Sequence, residues 1–233
     1  HGETLLVHLT CLYYTTMEPK LPEGEARVYF QKDYVLRMIE MLGELVRRIG
    51  EMTREADARG EVNEIAERAC GLPIGLLAAT DAASLPEMLG EAQRYLAGQL
   101  LLIHLEIEAR KAPEETLAPI RAQALAIFAT LMEPDDLLPA ADTAARLLPE
   151  VTDDLPLETL VAVAGLLERA GLYAPAEDAH FAALERGGAT QPAANFYERL
   201  AQLPDSALIQ GGLPRAELAE GLAALQQFDS TVG

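Results

Sequence analysis

The residues best placed to do chemistry lie in one short stretch. Glu177-Asp178-Ala179-His180 is a Glu-x-x-His. On a helix its two ligand types share a face about one turn apart, the spacing used by di-iron carboxylate bundles. Such a site takes two of these motifs and two further glutamates. His104 and Glu108, in LLLIHLEIE, are also one turn apart, but with the wrong spacing for a second motif. His180 is therefore expected to pack at a helix interface, and His104 to be a core histidine bonded to one neighbour. Cys11 and Cys70 form no Cys-x-x-Cys and no disulfide framework; free buried thiols in a reducing cytosol account for both. GGLPRAE, from Gly211, is a loop followed by a helix N-terminus, an arrangement that can hold an anion. Pro214 removes an N–H there and Glu217 adds negative charge, so a plain helix start is the better reading. There is no G-x-S-x-G, no P-loop and no G-x-G-x-x-G. No catalytic, cofactor-binding or metal-binding residue is assigned, and no cofactor is expected.

The totals narrow the function classes. The chain has 233 residues, 37 acidic against 18 basic, for a formal charge of −19. A nucleic-acid binder needs a cationic face to release counterions from phosphate, so nucleic acid is excluded. Anionic membrane surfaces are disfavoured by the same sign. The longest apolar run, Leu100 to Ile107, is about two helical turns and too short to span a bilayer. The first residues, HGETLLVHLTCLYYTTM, have an apolar middle without basic residues ahead of it or a small-residue cleavage site, so no signal peptide is expected. The expected location is the cytoplasm. Residues 1–30 read as an N-terminal arm of uncertain origin, with Met17 a plausible natural start.

Positioning these residues falls to helices. Ala, Leu, Glu, Arg and Gln are abundant and strand patterns are missing, which predicts an all-α fold of about eight helices in antiparallel hairpins. Residues 31–233 are expected to form one domain. Asp33 is a cap for a helix whose apolar positions are Val35, Met38, Leu42, Leu45, Ile49 and Met52, a seam at alternating spacings of three and four. Gly43 and Gly50 lie on one stripe of it, and Glu44 and Arg48 are a favourable pair. TREADARGEVNE continues it as an exposed stretch with a break near Gly60. A short helical piece and a turn at Asp81 to Ser84 come next. Ser84, with Pro86 and Glu87, has capping-box spacing for a helix reaching about Arg110. Pro113 starts a helix that Pro119 is positioned to kink, ending near Glu133. Asp135 or Asp136 opens one that stops before Pro149. Asp154 caps the next, which Gly171 stops in a left-handed conformation. Pro175 lies in the first turn of its partner, and Gly187-Gly188 end that. Thr190 caps a helix through QPAANFYERLAQL, and a last one runs from Pro214 to about Phe228.

The stretch from Leu166 to Gly188, LLERAGLYAPAEDAHFAALERGG, is the most patterned part of the chain. Leu160, Val163 and Leu167 line one helix face; Ala176, Ala179 and Ala183 line a face of the next. Small residues let the two axes approach closely, and Tyr173 fills the wedge at the turn. Gly171, Tyr173, Ala176 and Ala183 resemble the second half of a tetratricopeptide repeat, in a hairpin over 155–187. Ala164 stands where that family usually has Gly, His180 where an aromatic is usual, and no Pro ends the repeat. Only one such unit is readable, and a solenoid needs about three. DYVLRMIEMLGELVRRI, together with the chain from Gly171 to Leu225, resembles an uncharacterised bacterial family of all-helical, tetratricopeptide-like proteins. That resemblance implies an all-α fold and no activity.

The function expected is a non-enzymatic protein–protein interaction or scaffold module. Its partner is a protein or peptide with a basic segment, or a second copy of the chain through the 35–52 helix. The alternative is a metal-dependent enzyme using Glu177, His180 and more distant carboxylates in the helical bundle.

Overall fold

Glycines and prolines divide the chain into eleven α-helices among the described residues. The computed structural model describes residues 42, 44, 45, 48, 55–132, 134–153 and 155–232; for residues 55, 134–136 and 229–232 it describes the backbone alone. The helices are α1 (Glu55–Cys70), α2 (Ile74–Ala79), α3 (Leu85–Met88), α4 (Glu91–Glu108), α5 (Glu114–Ala129) and α6 (Pro134–Val151). They continue with α7 (Leu157–Arg169), α8 (Tyr173–Glu185), α9 (Gln191–Ala201), α10 (Asp205–Gln210) and α11 (Arg215–Val232). A 3₁₀ turn, Ala82–Ser84, precedes α3. No strand occurs among the described residues, and the fold is all-α.

The centre is α4. Its sequence is apolar nearly all round from Tyr95 to Leu105, which no surface helix tolerates. It packs against α1, α2, α5 and α6. Gly98 lets α5 in: a Cβ there would lie 2.7 Å from Phe128 Cδ1 and 2.8 Å from its Cζ. Phe128 itself is fully buried. α5 in turn meets α7, α7 pairs with α8, and α9 joins α8 to α11. One continuous apolar core runs from Leu42 through this series to Leu225.

Several boundaries differ from the sequence expectation. α1 runs through Gly60 without a break, because Ala58, Val62, Ile65, Ala66 and Ala69 form one buried face that outweighs a single helical glycine. The capping-box helix at Ser84 lasts only to Met88. Ser84 makes no side-chain cap bond; Asp81 instead accepts from Ala83 N at 3.1 Å. Leu89 is extended, and α4 starts anew after Gly90, whose N–H donates to Gln93 Oε1 at 3.0 Å. α5 ends at Ala129, before Glu133. α6 passes through Pro149 to Val151, carried on by the buried Leu147, Leu148 and Val151. Thr190 makes no side-chain cap bond to α9. Leu157 opens α7 behind Pro156; Asp154 lies outside the described residues. So do residues 1–30, Cys11, Asp33, Gly43, Gly50 and most of the 35–52 seam. Of that seam, Leu42 and Leu45 are described, and both are buried within this single chain.

Candidate functional site

The hairpin of α7 and α8 gathers the chemistry-bearing side chains. The backbone turns at Gly171, whose φ is +77°, a conformation that suits glycine. Leu172 N donates to Leu167 O and Gly171 N to Glu168 O, both at 2.9 Å, closing the end of α7. Leu160, Val163 and Leu167 of α7 and Ala176, Ala179 and Ala183 of α8 are all buried, and the two helices pack together. Tyr173 does more than fill a wedge. Its N–H donates to Gly211 O at 2.9 Å, and that of Ala174 to the same oxygen at 3.1 Å. A Cβ on Gly211 would lie 2.6 Å from Gly171 O and 2.8 Å from Tyr173 Cε2. The α7–α8 turn is thus seated directly on the α10–α11 turn.

The two ends of the Glu-x-x-His face different neighbours. Glu177 accepts a hydrogen bond from Tyr197 Oη on α9. Burial pushes its carboxyl above the usual range; the bond from Tyr197 opposes that, and the charges of Asp178 and Glu217 add to it. Burial first, then the carboxylate, push the Tyr197 phenol upward. His180 is 5% exposed and packs against Phe196, with ring centres 5.0 Å apart. Its Nε2 finds no hydrogen-bond partner among the described residues. Burial pulls its pKa down to about 4, with Glu168 opposing and Arg199 adding. Those two form a bidentate bridge between α7 and α9, Arg199 Nε to Glu168 Oε1 at 2.6 Å and Nη2 to Oε2 at 2.7 Å. Among the described residues no three His, Cys, Asp or Glu side chains gather as a metal site.

The second histidine lies between α1 and α4. His104 is half-buried, and its Nδ1 is 3.8 Å from Glu108 Oε1, beyond hydrogen-bond reach. This Nδ1 also lacks a partner among the described residues. Arg59 takes the carboxylate instead, with contacts of 2.6 and 2.8 Å. Burial lowers the His104 pKa, Glu108 opposing. Arg48 pairs with Glu61 of α1. Cys70 is a buried free thiol, pushed up to about 11 by burial, with Sγ 3.6 Å from Gln93 O. At Gly211 the loop serves packing, and the helix that follows begins at Arg215.

The polar residues that organise the molecule are ones that carry no motif. At the ends of α2, α3, α5, α6 and α9, which lack a left-handed glycine, the last carbonyls or those just beyond are capped by a side chain. Gln123 reaches Leu77 O and Thr80 O at the end of α2. Arg94 reaches Leu89 O at 3.0 Å after α3 and Thr130 O at 3.2 Å after α5. Arg169 adds bonds to Ala129 O at 2.9 Å and Leu131 O at 3.2 Å. Arg186 holds Thr152 O and Leu155 O after α6, and Arg215 holds Ala201 O and Leu203 O after α9. A guanidinium suits this role, since it supplies several donors and a positive charge to the negative end of the helix dipole. No local pattern marks these residues, because donor and acceptor are 12 to 46 positions apart except at Leu89.

The result is an all-α protein of packed helical hairpins, with its polar interior spent on joining helices. The chain matches the model of a family of unknown function, DUF6483, over residues 29–230, and it belongs to that family. Neither the curated proteins nor the solved structures offer a match. No helix among the described residues is long and apolar enough to cross a membrane.

Proposed function

We propose that the chain is a non-enzymatic interaction or scaffold module of the bacterial cytoplasm, with a tetratricopeptide-like hairpin at 155–187 and a basic protein or peptide segment as its partner. The observation that carries this reading is the fate of the cations. Arg94, Arg169, Arg186 and Arg215 are engaged at helix ends. Arg48, Arg59, Arg68, Arg121 and Arg199 are engaged with carboxylates. Among the described residues these nine arginines are tied to carboxylates or helix ends rather than gathered into a cationic face, and the chain as a whole carries 37 acidic against 18 basic side chains. Glu87, Glu115, Glu150, Glu158 and Asp178 are all exposed. Such a field steers a basic partner and repels an acidic one. The turn at Gly171 and the buried Ala176 and Ala183 of α8 support the tetratricopeptide-like part. The buried free thiol of Cys70 fits a reducing compartment.

A pull-down from lysate of the native host, at low and at high salt with bound proteins identified by mass spectrometry, tests the reading. A recurrent partner with a basic segment, released at high salt, is expected. A bait that returns nothing, or one whose partners hold on unchanged at high salt, rules out the acidic adaptor.

A further inference from the structure

We propose that α11 is held on α8 and α9 by a proton-sensitive latch: the Glu177 carboxyl, bonded to Tyr197 beneath Gly221, grips α11 more tightly once it takes up a proton. Three helices supply the parts. Glu177 comes from α8, Tyr197 from α9, and Gly221 from the middle of α11. Tyr197 is 2% exposed. A Cβ on Gly221 would sit 2.9 Å from Tyr197 Cζ, and closer still to the Tyr197 hydroxyl and Glu177 Oε1. The helix therefore lies directly on the carboxyl–phenol pair, at a position where only glycine fits without a shift. Glycine is a poor helix former in a helix interior, so the close approach is the reason for its presence.

The groups facing this carboxyl set the sign. Tyr197 donates to it from α9, Asp178 adds negative charge from α8, and Glu217, one turn before Gly221, adds it from α11. Among the described residues no cation offsets these charges at Glu177. Docking α11 thus removes water from an anion and brings a second anion toward it. Both effects disfavour the charged form and raise the carboxyl above its usual value. A carboxyl whose pKa is higher docked than undocked takes up a proton on docking. Docking then strengthens as pH falls through the docked value, and levels off below the undocked one. Each unit of that difference is worth up to about tenfold in docking.

Hydrogen exchange of the α11 amides in the full chain, at about pH 7.5 and about pH 5 with intrinsic exchange rates divided out, tests the latch. The wild type is expected to show more protection of α11 at the lower pH than at the higher. Glu177→Gln keeps an oxygen for Tyr197 but cannot titrate, so its profile should be flat. Glu217→Gln should shrink the rise, and Gly221→Ala should loosen α11 at both pH values. A wild type whose α11 protection is unchanged or lower at acid pH overturns the latch. So does a Glu177→Gln chain that keeps the full rise, or an Asp178→Asn chain that loses it.

Discussion

At the scale of single residues, the unusual groups are a buried imidazole and a half-buried carboxyl on one helix. His180 is neutral in the core, lowered to about 4, whereas an unfolded histidine titrates near its ordinary 6.5. Its contribution to stability is complete above 6.5. It falls as pH drops from 6.5 toward 4, where the unfolded chain takes up a proton and the folded one does not. The difference amounts to roughly 3 kcal/mol at the acid end. His180→Phe keeps an aromatic against Phe196 and removes the orphaned nitrogen. The stability of that variant relative to wild type should rise as pH is lowered from about 6.5 to about 4. Urea titrations at several pH values measure it, and a constant difference would sink the argument. Glycine speaks at this scale too. Gly98→Ala drives a methyl group into the Phe128 ring, and the expected cost is about 1–3 kcal/mol.

At the scale of elements, the question is how a helix ends. Where glycine is available, as at Gly171, the backbone closes itself. At the ends of α2, α5, α6 and α9, where it is not, a side chain distant in sequence caps the carbonyls. Arg94 is 8% exposed and serves two helix ends, so Arg94→Met leaves Leu89 O and Thr130 O without their donor. A loss of about 2–3 kcal/mol is expected, because water reaches that site poorly. Arg186 is exposed, and Arg186→Met should cost about 1 kcal/mol, water taking over the carbonyls. Equal losses in denaturant melts would show that exposure does not govern these caps. The glycine stops at Gly171 and Gly187 were legible in sequence because they are local. The caps were not, because nothing within a few residues of an arginine says which helix end it will reach.

At the scale of the whole molecule, the α7–α8 turn resting on the α10–α11 turn ties the last third of the chain together. Gly211→Ala forces a methyl group against Gly171 O and the Tyr173 ring, where the backbone has no room to yield. Tyr173→Ala empties the same joint. Each should cost about 3 kcal/mol, and limited proteolysis should cut first near residues 202–214. Uniform cleavage along the chain would instead show that this joint is not the weak point. Leu42→Glu belongs to this scale as well. Leu42 is 7% exposed in the single chain, so the variant should lower monomer stability whether or not the wild type self-associates. Light scattering beside a thermal melt separates the two effects.

Composition and punctuation alone determined the class: an all-α protein, acidic, with a tight hairpin at Gly171 and small residues on the inner face of α8. These follow from the sequence because helix propensity, glycine stops and 3.6-residue periodicity act within a turn or two. The tertiary structure decided which pattern prevailed where local signals competed. It carried α1 through Gly60 and α6 through Pro149, because buried apolar faces outweigh one poor helix former. It also separated the two halves of the Glu-x-x-His, turning Glu177 to Tyr197 and His180 to Phe196. Spacing places side chains on a helix face, but the neighbouring helices determine what that face meets.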